Sequence, residues 1–126
     1  MVMNKGQAIE TILSDLKSSS TDIQGAAVVS LDGLMIGSYL PIKEIDPEGV
    51  GAMSAALLGL SRKAASALHQ GEFKEIYVKC EDGTLHLYAI SDKGVLAVLA
   101  RRDANIGMVN LESRAVAKRI AEILEG

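Results

Sequence analysis

The chain has 126 residues and a formal net charge of −3, with 48% hydrophobic and 23% charged residues. This length and composition predict one globular domain over residues 1–126 and exclude a disordered chain. The acidic balance argues against a nucleic-acid-binding surface built on bulk charge. Apolar runs of about six residues fall short of the roughly twenty that a membrane helix needs, so we expect no membrane insertion.

Cys80 is the only cysteine, which excludes an internal disulfide and a four-thiolate zinc site. A single thiol suits a reducing compartment, and we expect a cytoplasmic protein without a signal peptide. Aromatic residues make up 3% of the chain and tryptophan is absent. Since pockets that stack a flat cofactor are usually richer in aromatic side chains, we expect no cofactor.

The first half of the chain predicts a helix followed by a hairpin. Ile9, Ile12, Leu13 and Leu16 recur at helical spacing, which predicts a helix over residues 5–17. Two strand-like runs, residues 25–31 and 34–39, flank Asp32-Gly33. Because glycine takes the positive φ that tight turns demand, this pattern predicts a β-hairpin.

The second half predicts a long helix, three strands and a last helix. Asp46-Pro47-Glu48 is typical of a helix start, and the helix should continue to about residue 69, with Gly71 as a left-handed stop. Strands follow over residues 75–80, 84–90 and 95–101, and Asn105 caps the last helix. That helix should bury Val109, Val116, Ile120, Ile123 and Leu124. The predicted order is α-β-β-α-β-β-β-α.

The strand patterns predict positions in the sheet. Residues 95–100 are apolar at every position, which indicates a central strand covered on both faces. Residues 75–81 alternate between apolar and polar side chains, which is typical of an edge strand. Three helices can cover the two faces of one sheet, so we predict a layered α/β domain with antiparallel strands.

The middle helix is unusually rich in small residues. We expect one face to pack on the sheet, through Val50, Met53, Leu57, Leu60 and Leu68. A second face carries Ala52, Ala55, Ala56, Gly59 and Ser66, and small side chains let another backbone approach closely. That backbone is either a loop or strand of the same chain or, as we prefer, the same helix of a second copy in a twofold contact.

Two segments resemble a known family. The run GAAVVSLDGLMI at residues 25–36 is similar to the first hairpin of Roadblock/dynein-light-chain domains. The run NIGMVNL at residues 105–111 is similar to the entry into their last helix. The element order and the alanine-rich middle helix match over about residues 5–125.

The resemblance implies a five-stranded antiparallel sheet with the middle helix on one face and the terminal helices on the other, a layering like that of profilin and longin domains. It also implies a homodimer that pairs through the middle helices and the third strand. Applied to this sequence, that interface comprises Ala52, Ala55, Ala56, Gly59, Lys63, Ser66, Glu75, Tyr77 and Lys79.

The resemblance further implies a non-catalytic platform, and its MglB-like members regulate a Ras-like small GTPase. We therefore expect a homodimeric GTPase-activating or GTPase-binding regulator. The alternative is a structural adaptor that assembles a larger complex without affecting nucleotide turnover, and a ligand-sensing domain ranks third. Arg62, Arg101 and Arg102 are the candidate GTPase contacts, since an arginine can stabilise charge on a transferring phosphoryl group.

The candidate catalytic and ligand-binding residues of the sequence form no pattern typical of an enzyme. His69 has the position of a helix C-terminal cation, His86 lies in mid-strand and Cys80 suits an apolar filler. Together they lack the spacing of a metal site. The run GVGAMS at residues 49–54 lacks the third glycine and the preceding strand of a dinucleotide fingerprint, and no phosphate-binding loop motif is present.

Overall fold

The computed structural model describes residues 3–126, and its elements follow the predicted order. Three helices and five strands make up the fold: α1 (Lys5–Ser19), β1 (Ile23–Ser30), β2 (Met35–Tyr39), α2 (Pro47–Ala67), β3 (Glu75–Lys79), β4 (Gly83–Ile90), β5 (Gly94–Arg101) and α3 (Ile106–Glu125). No helix within residues 3–126 is both long and apolar enough to cross a membrane.

The helix boundaries have local causes. Asn4 and Gln7 form a reciprocal capping box at the start of α1, which satisfies two backbone N–H groups. The predicted caps of the other helices are confirmed: Asp46 accepts from the amide of Glu48, and Asn105 accepts from the amide of Met108. The left-handed residue that ends α2 is His69, which follows the C-cap Leu68 and has a φ of 53°; the predicted stop, Gly71, also has a positive φ but lies two residues further on.

The strands form one antiparallel sheet in the order β2-β1-β5-β4-β3. The predicted hairpin is confirmed: β1 pairs with β2, and Gly33 at the turn has a φ of 87°. The apolar β5 lies in the centre, and β3 forms an edge, so both sheet predictions are confirmed.

Two apolar cores lie on opposite faces of the sheet. On one face α1 and α3 cover β1, β4 and β5, with Ile9, Leu13, Leu96 and Ile120 fully buried. On the other face α2 packs over Ala27, Val29, Val95 and Ala97. The layering of one middle helix against two terminal helices is therefore confirmed.

The predicted packing face of α2 is confirmed for Val50 and Leu57, which pack partly buried against the core on that side of the sheet, and is wrong for Met53, Leu60 and Leu68. The buried residues of α2 are Gly51, Ser54 and Leu58, whereas Met53, Leu60 and Leu68 are exposed. Gly51 lies against the backbone of Gly33 at the β1–β2 turn. Because this turn approaches the helix backbone so closely, small residues are needed there, and the bulky side chains lie on other sides of the helix.

Candidate interaction surface

The outer edge of β3 is not paired with any other strand of residues 3–126. β3 pairs antiparallel with β4. Hydrogen bonds from Ala89 N to Lys74 O and from Cys80 N to Gly83 O, at the two ends of this pairing, show which residues of β3 direct their backbone groups toward β4. Because backbone groups alternate in direction along an antiparallel strand, those of Ile76 and Val78 point toward β4. The N–H and C=O groups of Glu75, Tyr77 and Lys79 therefore point away from the sheet.

An ion pair joins this edge strand to α3. Arg114 donates from Nε to Glu75 Oε2 at 2.6 Å and from a terminal nitrogen to Glu75 Oε1 at 2.8 Å. This bidentate geometry is the strongest form of an arginine–carboxylate contact. The hydrogen bond from Arg114 is the main cause that lowers the pKa of Glu75. The Glu75 side chain is thus held on the α3 face of the edge strand.

One flank of α2, next to its buried face, carries an apolar stripe in which Leu57 packs partly against the core and the other residues are exposed. Met53 and Leu60 expose 66% and 67% of their surface. The stripe, which we call the α2 stripe, consists of residues spaced alternately four and three apart: Met53, Leu57, Leu60, Ala64 and Ala67. This spacing keeps one face of a helix toward a second helix, as in helix pairs with 3.5-residue periodicity. The α2 stripe therefore has the form of a helix-docking surface.

The predicted interface residues on α2 lie mostly at the surface. Five of the six are exposed: Ala52, Ala56, Gly59, Lys63 and Ser66. Ala55 is half-buried because it lies beside Gly33 of the hairpin turn. The three predicted interface residues on β3 are all exposed and lie on the α3 face of the sheet: Glu75, Tyr77 and Lys79. Their role in an interface stays a prediction.

The three candidate GTPase contacts lie at two separate places on the chain. Arg62 lines an open groove of about 830 Å³ at one end of β5, together with Glu72, Asp92 and Lys118. Arg101 and Arg102 lie at the other end of β5, about 24 Å away at the rise of an extended strand. These arginines therefore do not form one site within a single chain.

Arg101 is engaged in contacts within its own chain. A terminal nitrogen lies 2.6 Å from Asp22 Oδ1, and another donates to the carbonyl oxygen of Arg102 at 3.1 Å. Asp22 also accepts from the amide of Asn105, so it links α3 to the start of β1. Arg102 is exposed, with Asp103 at 4.0 Å as its nearest acidic partner. Arg102 is thus freer than Arg101 to reach another molecule.

His86 is buried in a small polar cluster on the α3 face. Its Nε2 lies 2.9 Å from Thr84 Oγ1, and its ring centroid lies 4.8 Å from that of Tyr77. Burial lowers the pKa of His86, and burial raises the pKa of Tyr88 to about 12. Tyr88 donates its hydroxyl to Asn110 at 2.7 Å. These contacts join β4 to β3 through Tyr77 and to α3 through Asn110.

Within residues 3–126, no group of three or more His, Cys, Asp or Glu side chains is placed so that it could hold a metal ion.

Cys80 is exposed, so the expectation of an apolar filler at this position is wrong. The local reason is that Cys80 directly follows the edge strand, at the turn into β4. Sequence patterns alone did not reveal the bond between Glu75 and Arg114, which are 39 positions apart.

Comparisons with known proteins agree with this architecture. An uncharacterized protein of Methanocaldococcus jannaschii is 31% identical over 112 residues, covering 89% of this chain and 96% of the relative. Myxococcus xanthus MglB superimposes with a TM-score of 0.89 at 18% identity, covering 99% of this chain and 93% of that one.

A profilin of Acanthamoeba castellanii shares the layering, with a TM-score of 0.63 at 14% identity over 90% of this chain and 96% of that one. The predicted profilin-like layering is thereby confirmed. The Roadblock/LC7 domain model matches residues 8–100, which is most of the chain. This protein belongs to the Roadblock/LC7 family.

Proposed function

We propose that this protein is a homodimeric, non-catalytic regulator of a Ras-like small GTPase and works in the cytoplasm. The observation that carries the proposal is that residues 3–126 leave two surfaces uncovered: the α2 stripe apart from Leu57, and the outer edge of β3. Both are of the kind that a second polypeptide covers: an apolar helix face and a row of free backbone hydrogen-bonding groups. Family membership supports the choice of a GTPase as the further partner.

The dimer is argued from the position of these two surfaces. A twofold axis perpendicular to the sheet at β3 would join two sheets edge to edge and place both α2 helices on the same side. The two α2 stripes would then face each other and bury Met53 and Leu60, two large apolar side chains that a single chain leaves about two-thirds exposed. Identical patches that contact each other in this way form an isologous interface.

The mechanism that we propose is positional. The dimer binds the GTP-bound switch conformation of the GTPase more tightly than the GDP-bound one and so increases its population. Arg101 is poorly suited to reach into the nucleotide site of the GTPase, because its side chain already forms an ion pair with Asp22. Arg62 and Arg102 remain the candidate contacts, since both are exposed.

The test uses the purified protein with a Ras-like GTPase encoded beside it in the genome. We expect binding that prefers the GTP-loaded form, and a change in the rate of phosphate release. Binding without any change in that rate would favour the adaptor function instead. The proposal is wrong if neither the GTP-loaded nor the GDP-loaded form binds.

A further inference from the structure

The Glu75 carboxylate lies within reach of two basic side chains on the α3 face of the sheet. One is Arg114, which donates two hydrogen bonds to it at 2.6 and 2.8 Å. The other is His86: Glu75 lies opposite Tyr88 across the β3–β4 ladder, and His86 precedes Tyr88 by two residues. Glu75 and His86 are therefore diagonal neighbours on one face. The β-carbons of such neighbours are about 7–8 Å apart, a distance that a glutamate side chain can span.

The immediate surroundings of His86 suit a neutral imidazole. The residue is 2% exposed, and its Nε2 lies 2.9 Å from Thr84 Oγ1. Its ring centroid lies 4.8 Å from that of Tyr77 and 6.1 Å from that of Tyr88. These uncharged groups offer hydrogen bonding and contact but no negative charge. Because a buried cation is costly without a counter-ion, a protonated His86 requires a carboxylate beside it.

Glu75 is the carboxylate placed to supply that charge. Burial lowers the pKa of His86, and the charge of Glu75 opposes this with a smaller rise. The neighbouring strand β5 presents apolar residues on this face, with Val98 opposite His86. The other titratable or charged groups on the elements around His86 are Tyr77 and Lys79 on β3, Tyr88 on β4 and Arg114 on α3, with Glu81, Arg101, Arg102 and Asp103 bordering Thr84 at the far end.

We propose that acidification moves the Glu75 carboxylate from Arg114 to protonated His86, so that these three side chains form a pH-dependent switch of the contact between β3 and α3. All three belong to one chain, so the switch depends neither on the proposed homodimer nor on a GTPase. At neutral pH the imidazole is uncharged and Arg114 holds Glu75. Once the imidazole takes a proton from solvent, the carboxylate has two cationic partners that compete for it.

The switch has a defined pH window. The hydrogen bond from Arg114 is the main cause that holds the pKa of Glu75 below 4.5, and burial holds the pKa of His86 below 6.5. Between these values, Glu75 is still ionised while His86 gains its proton. Arg114 is then released and adds a cation to the groove that Arg62 and Lys118 also line. Acidification thus loosens the tie between the edge strand and α3 and makes the groove more positive.

The first test is an NMR titration of the wild-type protein from pH 7.5 to 4.5. It follows the ring signals of His86 and the Nε–H signal of Arg114, and circular dichroism establishes that the protein is folded at each pH. The Arg114 signal should change with the same midpoint as the His86 ring, and this change should be lost in His86→Gln. If Arg114 stays bound to Glu75 until Glu75 itself is protonated, the proposal is wrong.

The second test measures the competition with charge-removing variants. Arg114→Gln leaves Glu75 to His86 alone, so the proton affinity of His86 should rise about threefold. Loss of repulsion from the arginine could also contribute to this rise. The same substitution is therefore made in a Glu75→Gln background, where it should have a clearly smaller effect because no carboxylate is left to be shared.

Lys118→Gln is the matched control for Arg114→Gln. It removes a cation one turn further along α3, at an exposed position that lines the same groove. The proton affinity of His86 should stay close to that of the wild type. An equal rise in Lys118→Gln and Arg114→Gln, or equal effects of Arg114→Gln with and without Glu75, would show that Arg114 acts through its charge alone and would overturn the switch.

Discussion

The carbonyl oxygen of Gly33 lies 2.8 Å from the position that a β-carbon on Gly51 would occupy. This contact joins the β1–β2 turn to α2 and sets how closely the helix approaches the sheet. The atom that would be displaced belongs to the backbone of a turn, so it has little freedom to move.

Gly51→Ala should therefore destabilise the fold by about 1–2 kcal/mol, because the strain of overpacking exceeds the gain in helix propensity. Gly49→Ala is the matched control on the same helix, since a β-carbon there would come no closer than 3.8 Å to another atom of residues 3–126. It should raise the free energy of unfolding by about 0.5–1 kcal/mol. Urea denaturation measures both values, and equal effects of the two substitutions would contradict the close contact.

Ser54→Ala should stabilise the protein. The Ser54 side chain is 1% exposed, and its hydroxyl has no hydrogen-bond partner among residues 3–126. Removing an unsatisfied buried hydroxyl should raise the free energy of unfolding by about 1–2 kcal/mol, including the gain in helix propensity. Ser66→Ala at an exposed position of α2 should gain only about 0.5 kcal/mol. A loss of stability in Ser54→Ala would show that this hydroxyl is satisfied.

Leu60→Asp should dissociate the dimer. It places a carboxylate in the middle of the α2 stripe, where burial against a second helix would cost several kcal/mol. Leu111→Asp is the control, because Leu111 is 63% exposed on α3, close to the 67% of Leu60. We expect the first variant to elute as a monomer and the second as a dimer in size-exclusion chromatography. If both elute as dimers, the α2 stripe does not form the interface.

Lowering the pH should destabilise the protein partly through His86. Burial lowers the pKa of His86 in the folded chain below 6.5, while the neighbouring Glu75 carboxylate raises it by a smaller amount. The unfolded chain therefore binds a proton first, so this contribution to stability is complete above pH 6.5 and is lost as the pH falls toward the pKa of the folded state.

The substitution His86→Gln removes this titration and should give a shallower fall in the urea midpoint between pH 7.5 and 5.5. The comparison is made as the difference between pH values within each protein, so an overall loss of stability in the variant does not affect it. Identical slopes for the two proteins would contradict the assignment to His86.

The sequence predicted the fold where local signals agree with burial. The continuous apolar run at residues 95–100 indicated the central strand, and the alternation at 75–81 indicated the edge. Capping residues such as Asp46 and Asn105 fixed the helix starts, since the polar side chain and the first free amides are adjacent in sequence.

The orientation of α2 could not be predicted in the same way. Apolar residues occur on every side of this helix, so periodicity does not distinguish the face on the sheet from the face left exposed. The deciding factor is the backbone of Gly33, whose approach favours small residues at Gly51 and Ala55. The pairing of Glu75 with Arg114 was equally hidden, because it depends on where α3 crosses the edge strand.

The position of β5 between β1 and β4 has a consequence for synthesis on the ribosome. β1 has β2 on one side, but its other side stays open until residues 94–101 have left the exit tunnel. The amino-terminal hairpin ends at Tyr39 and β5 begins at Gly94, 55 residues later, so the nascent chain exposes apolar strands throughout that interval. Truncation before β5 should consequently give an aggregating fragment instead of a smaller stable unit.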